Sequence, residues 1–201
     1  MTKLGRFLAV SALAALAAGA ANAAPITYDE AIDGDLTQFM SLTLDTGVNT
    51  VTGTFNFLPG DNDNASIVVG PGKRLVGVTL DILGFTTTGT LSLSEARFGG
   101  GLYALPSVTV INALEATLIE HGVTLATSAS LDLFSGDLAD GRYLGGFTGG
   151  IATSGSGTLD VAYRWTYVVD DATAAVPAPA SGLLLAAGLA GLGRIRKRRR
   201  A

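Results

Sequence analysis

The chain has 201 residues, enough for one ordinary domain with targeting segments, and carries no cysteine, so disulfides, thiolate catalysis and cysteine-held metal are excluded. Of its 13 basic residues, eight lie at the two ends; Lys73, Arg74, Arg97, Arg142 and Arg164 stand alone in the middle against all 17 acidic residues, a formal charge near −12. So acidic a middle is unsuited to nucleic acid, because neutralised phosphates supply most of that affinity.

The first 23 residues read as a secretory signal. Lys3 and Arg6 give the positive start, Phe7 to Gly19 the apolar stretch, and Ala21-Asn22-Ala23 the small-x-small site that signal peptidase cuts. The cut is placed after Ala23, because cutting after Ala24 would put Pro25 at a poorly tolerated position.

From residue 24 to 175 short alternating runs replace any long helical periodicity. Val51, Phe55 and Phe57 share one face of the first clear run, and Val76, Val78, Leu80 and Ile82 share one face of the next, with Thr79 and Asp81 opposite. Pro59-Gly60-Asp61-Asn62, Gly70-Pro71-Gly72 and Gly99-Gly100-Gly101 read as turns. Asn112 to His121 is compatible with one short helix or two strand pieces. Leu159, Val161, Tyr163, Trp165 and Tyr167 alternate with polar or small residues in the clearest strand of the chain, and their aromatic stripe reads as core more readily than as a sugar platform. The expected fold class is all-β: a single antiparallel sandwich of roughly eight strands, jelly-roll in topology. A helix is expected at each end of the chain, the signal helix and a transmembrane helix.

No cofactor is expected, with calcium the one candidate. Asp61 and Asp63, in the turn Asp61-Asn62-Asp63-Asn64, supply hard oxygen donors at alternate positions. Ala65, Ser66 and Gly72 depart from an EF-hand loop, so a closed shell would need carboxylates from elsewhere, such as Asp33 or Asp35. The competing reading is a solvated hairpin tip. His121 is the sole histidine, followed by Gly122 with no nucleophile motif nearby, which marks a turn rather than a general base. No catalytic residue is assigned.

The last 26 residues, 176–201, have three parts: Val176-Pro177-Ala178-Pro179, an apolar stretch over about 180–193, and Arg194-Ile195-Arg196-Lys197-Arg198-Arg199-Arg200. The uncharged stretch from Ala178 to Gly193 is just short of the ~17–25 residues that cross a bilayer. The basic cluster would stay cytoplasmic, with the acidic middle outside.

That order of proline motif, apolar helix and arginine cluster resembles the PEP-CTERM sorting signal, which exosortases of exopolysaccharide-making Gram-negative bacteria process. Ala178 stands where the usual motif has glutamate, closer to the Val-Pro-Leu-Pro-Ala variant. The resemblance implies a signal peptidase and an exosortase-like enzyme as partners, a membrane-held intermediate, and a destination at the cell surface or in the extracellular matrix, in association with exopolysaccharide. A second resemblance rests on Tyr28-Asp29-Glu30-Ala31, Gly34-Asp35-Leu36, Gly47 to Thr54, Asp61-Asn62-Asp63 and Val69-Gly70-Pro71-Gly72. These look like the opening of pre-peptidase C-terminal-like domains, which are jelly-roll modules of secreted proteins. The expected function is thus that of an exported, non-enzymatic surface or matrix protein. Its rivals are a calcium-dependent carbohydrate-binding module and a matrix polysaccharide hydrolase.

Overall fold

The computed structural model describes residues 24–36, 40–58, 60 and 63–172. The signal segment with Ala21 and Ala23, Asp61, and the tail with Val176, Pro177, Ala178 and Pro179 lie outside the described residues. Among the described residues no helix is long and apolar enough to cross a membrane.

The elements run β1 (Thr27–Asp29), α1 (Glu30–Asp33), β2 (Ser41–Leu44), β3 (Gly47–Leu58), β4 (Ala65–Val69), β5 (Lys73–Thr87), β6 (Ser92–Ala104), β7 (Thr109–Glu120), β8 (Val123–Thr124), β9 (Ala129–Leu138), β10 (Gly141–Ser154) and β11 (Leu159–Asp171). They form a five-stranded sheet ordered β1-β3-β11-β5-β9 and a six-stranded sheet ordered β2-β4-β10-β6-β7-β8.

Period-two patterning explains the layering. Val161, Tyr163, Trp165, Tyr167 and Val169 of β11 are at most 1% exposed, while the residues between them face outward. Val51 is buried, and Val78, Leu80 and Ile82 are buried beside β11. The second sheet answers with Ile67, Phe98, Leu102 and Tyr143. Phe147 of β10 crosses the gap, its ring 4.8 Å from Phe55, 4.7 Å from Tyr163 and 5.7 Å from Trp165. Edge-to-face and offset aromatic packing of this kind seals the two layers over one core.

Two expectations are corrected and one open choice is settled. Both sheets are mixed rather than purely antiparallel, because β1 joins β3 and β2 joins β4 in parallel. Gly99-Gly100-Gly101 is no turn but the middle of β6. A Cβ at Gly100 would lie 2.7 Å from both Leu80 Cδ2 and Trp165 Cη2, so the glycine admits the indole of the opposite sheet. Residues 112 to 120 belong to one strand, β7, which settles the open choice against a helix.

The chain enters and leaves this core at the same end. Pro25 packs on Gly47, which pairs with Val169, and the Ala172 amide donates to Gly72 O at 2.8 Å. Asn49 holds that end together. Its carboxamide oxygen accepts from Ile26 N at 3.0 Å and Asp45 N at 3.1 Å, and its Nδ2 donates to Asp45 O at 2.7 Å. An ion pair between Lys73 and Asp45 and a bond from Thr46 Oγ1 to Asp171 at 2.7 Å complete it.

Candidate functional site

The short helix α1 exists to turn the chain, not to present a dipole. The Asp29 carboxylate accepts from Ala31 N at 3.0 Å, Asp33 accepts from Asp29 N at 2.8 Å, and Gly34 closes the turn at φ +97°. The Tyr28 hydroxyl ties down the exit by donating to Gly34 O at 2.6 Å. Burial pushes the Tyr28 phenol above its ordinary range, helped by the charges of Glu30, Asp33 and Asp35.

This turn aims Glu30 inward. Its Oε1 accepts from the Tyr163 hydroxyl at 2.9 Å and from Leu36 N at 3.2 Å, and its Oε2 accepts from Thr54 N at 2.8 Å. The approach requires Gly53, since a Cβ there would overlap the Glu30 carboxylate and lie 2.6 Å from the Tyr163 hydroxyl. Burial, then the charges of Asp63 and Glu30 and the bond to Glu30, drive the Tyr163 phenol far above its ordinary range.

Carboxylate oxygens of Glu30, Asp35 and Asp63 lie within 4.8 Å of one another. The cleft in front of Glu30 and Asp35, about 480 Å³, is lined also by Asp29, Thr52, Leu83 and Tyr163 among others, with no Lys or Arg among the described residues that line it. An all-oxygen donor set of this sign suits a hard divalent cation, calcium before zinc.

The structure thus treats the calcium candidates unequally. Asp61 lies outside the described residues, and Asp63 is 1% exposed, which corrects its reading as part of a solvated tip: the residue is turned into the protein. Of the two carboxylates named as supplements, Asp35 joins the cluster and Asp33 is used on the Asp29 amide. Sequence reasoning missed Glu30 and Tyr163. The signal that could have found them is weak: Gly53 breaks the apolar pattern of β3 where a partner needs room.

The remaining candidates are separated from this site. His121 sits at φ +49° and Gly122 at φ +76° in an exposed two-residue turn between β7 and β8, as its sequence context implies. Trp165 and Tyr167 are buried, stacked with ring centroids 5.9 Å apart, and serve as core.

No protein-family model matches the chain, and no curated protein sequence matches it. Among solved structures, the periplasmic inhibitor of g-type lysozyme PliG from Aeromonas hydrophila is similar over 72% of this chain and 99% of that one, with 12% sequence identity and a TM-score of 0.26. A likeness that faint bears on neither fold nor function.

Proposed function

We propose that the chain is an exported, non-enzymatic surface or matrix protein, delivered through an exosortase-type system by residues 176–201. The observation that carries the proposal is the three-part tail, a proline motif followed by an apolar stretch and an arginine cluster. The fold is compatible with it: Pro25 and Ala172 sit at one end of the two-sheet body, so a tether on either side leaves the opposite loops facing away. Signal peptidase and an exosortase-like enzyme are the processing partners of this reading, and exopolysaccharide is its surroundings.

The jelly-roll reading of the body is supported by strand order. Set aside β1, β2 and β8, and the sheets run β3-β11-β5-β9 and β4-β10-β6-β7, with antiparallel neighbours throughout. That is the order two interlocked Greek keys produce.

Mass spectrometry of the protein recovered from host membranes and from culture fluid tests the delivery. The expected species begins at Ala24 and ends between Pro177 and Ser181. A species running to Ala201 and found only in membranes overturns the sorting reading and leaves a membrane-tethered domain.

A calcium-dependent carbohydrate-binding module is the second reading, favoured by the convergence of Glu30, Asp35 and Asp63. Calcium held there would raise the melting temperature, chelator would reverse the rise, and Asp35→Asn would abolish it; an unchanged melting curve removes this reading. The same cluster serves a hydrolase poorly. Glu30 already binds three donors and Asp63 is 1% exposed, whereas glycoside cleavage needs two carboxyl groups that reach opposite sides of a sugar.

A further inference from the structure

Of the five basic side chains in the body, three are spent on acids: Lys73 on Asp45, Arg74 on Asp137 and Asp170, and Arg164 on Asp81. Among the described residues Arg97 and Arg142 make no ion pair. Register places both on the outer face of the six-stranded sheet. Leu102, Gly145 and Phe98 alternate with them toward the core, while Arg142 stands opposite Val68, Leu144 opposite Tyr103, Gly146 opposite Gly101 and Gly150 opposite Arg97. In a protein this acidic, two unpaired guanidinium groups on one face call for an explanation.

The surface between them is shaped. Tyr103 does not stand off the sheet but folds along it. A Cβ at Gly101 would lie 2.6 Å from Tyr103 Cζ, and a Cβ at Gly146 would lie 3.8 Å from its Cε2. Glycines beneath the phenol let it lie low, half-buried, with the ring along the sheet. Beside it, Arg142 Nη2 donates to Ser66 Oγ at 3.2 Å, which fixes the guanidinium and leaves its other N–H groups directed elsewhere. The neighbouring rows continue as Leu144–Ser66–Ser41 and Arg142–Val68–Thr43, rich in hydroxyls and without a carboxylate. At the far end Glu95 and Glu115 flank Arg97, whereas the strands beside Arg142, β4 and β2, carry no acidic residue.

We propose that this outer face, around Tyr103 and Arg142, binds an acidic polysaccharide. A pyranose carries C–H groups on one face and suits a low-lying aromatic ring; a uronate carboxylate suits a guanidinium with donors to spare; ring hydroxyls suit the exposed Ser41 and Thr43. An acidic peptide shares the guanidinium contact but makes less use of the hydroxyls beside Tyr103. The carboxylate must come close to be felt, since the net charge of the body repels polyanions at long range, and binding will weaken as salt is added. This site lies apart from the Glu30 cluster and does not depend on how the tail is processed.

Titration calorimetry with polygalacturonate and with dextran tests it, on the full chain with the basic residues of 194–200 changed to glutamine so that the tail itself does not bind the polyanion. Polygalacturonate is expected to bind about tenfold or more tightly than dextran. Arg142→Gln is expected to erase that preference, Tyr103→Leu to weaken both polymers, and Arg97→Gln to leave both unchanged. Fluorescence of Trp165, buried at the centre of the fold, reports whether each variant is folded. Equal affinity of the tail-substituted chain for the two polymers, no binding of either, or full retention of the preference in Arg142→Gln would overturn the proposal. Should Tyr103→Leu fail to fold, the exposed Arg142 variant decides alone.

Discussion

The hydroxyl of Tyr163 donates to the carboxylate of Glu30 at 2.9 Å across 133 positions of sequence, joining the centre of the last strand to the turn that follows the first. The same carboxylate takes the amides of Leu36 and Thr54, so one acidic side chain satisfies three donors that would otherwise be stranded at the open side of the sheets. Tyr163→Phe is expected to cost about 1–2 kcal/mol, and Glu30→Ala more, about 2–4 kcal/mol, because backbone donors are orphaned as well. A double-mutant cycle read by urea denaturation should return a coupling near 1 kcal/mol. Strict additivity would show that the bond contributes nothing.

Gly100 is held to glycine by the sheet opposite. An added methyl would meet Leu80 and Trp165, both buried, at 2.7 Å. Gly100→Ala is therefore expected to destabilise by about 1–3 kcal/mol and to shift the emission of Trp165 by opening the layers around it. Gly150→Ala, where no atom lies within 4 Å of the new carbon, is the control and should be close to neutral.

Acid should weaken the protein through Asp45 and Asp81. The bond from Lys73, then that from the Thr46 amide, hold the Asp45 carboxyl below its ordinary range. Burial pushes Asp81 up, but bonds from Ser130 and Arg164 and the guanidinium charge outweigh it and leave that carboxyl lowered too. A carboxyl lowered on folding contributes stability that is complete above its unfolded value, about 4, and is lost as pH falls through the folded one. Melting temperature should fall below about pH 4, and Asp81→Asn should flatten part of that slope.

Alkali should act in the opposite sense through Tyr163 and Tyr167. Burial is the leading cause in both, and it drives both phenols well above their ordinary range. A phenol raised on folding contributes stability that is complete below its unfolded value, about 10, and declines as pH rises past it. Absorbance at the phenolate band should show these two groups ionising together with the loss of tertiary structure, not before it. Ionisation that precedes unfolding would place one of them in contact with solvent.

Much of the core was legible because burial and a period of two leave a plain trace in β11, where six alternating residues are apolar and buried. The middle of β5 reads the same way through Val78, Leu80 and Ile82. Strand direction left no such trace. Alternation is the same in either direction, so the parallel pairing of β1 with β3 and of β2 with β4 could not be read from it. Glycine misled at residues 99 to 101, since the residue that permits a turn also permits close approach of another sheet, and only the position of Trp165 separates the two. The acidic cluster was half visible: Asp63 drew notice for its spacing, but Glu30 lies 33 residues earlier and meets it only because α1 turns the chain back.

The shared end of entry and exit has a mechanical consequence. Pro25 and Ala172 bracket β3, β11 and β5 from one side, so a pull on both would peel the strands apart one hydrogen bond at a time, the weak geometry for a sheet. A pull on the exit alone meets a different resistance. β11 is flanked along its whole length by β3 and β5, and Arg164, Tyr163 and Trp165 tie it to Asp81 of β5, Glu30 of α1 and Phe147 of β10. A body held by its exit strand can bear drag from a surrounding gel, yet gives way readily when spliced into a chain that is stretched from both ends.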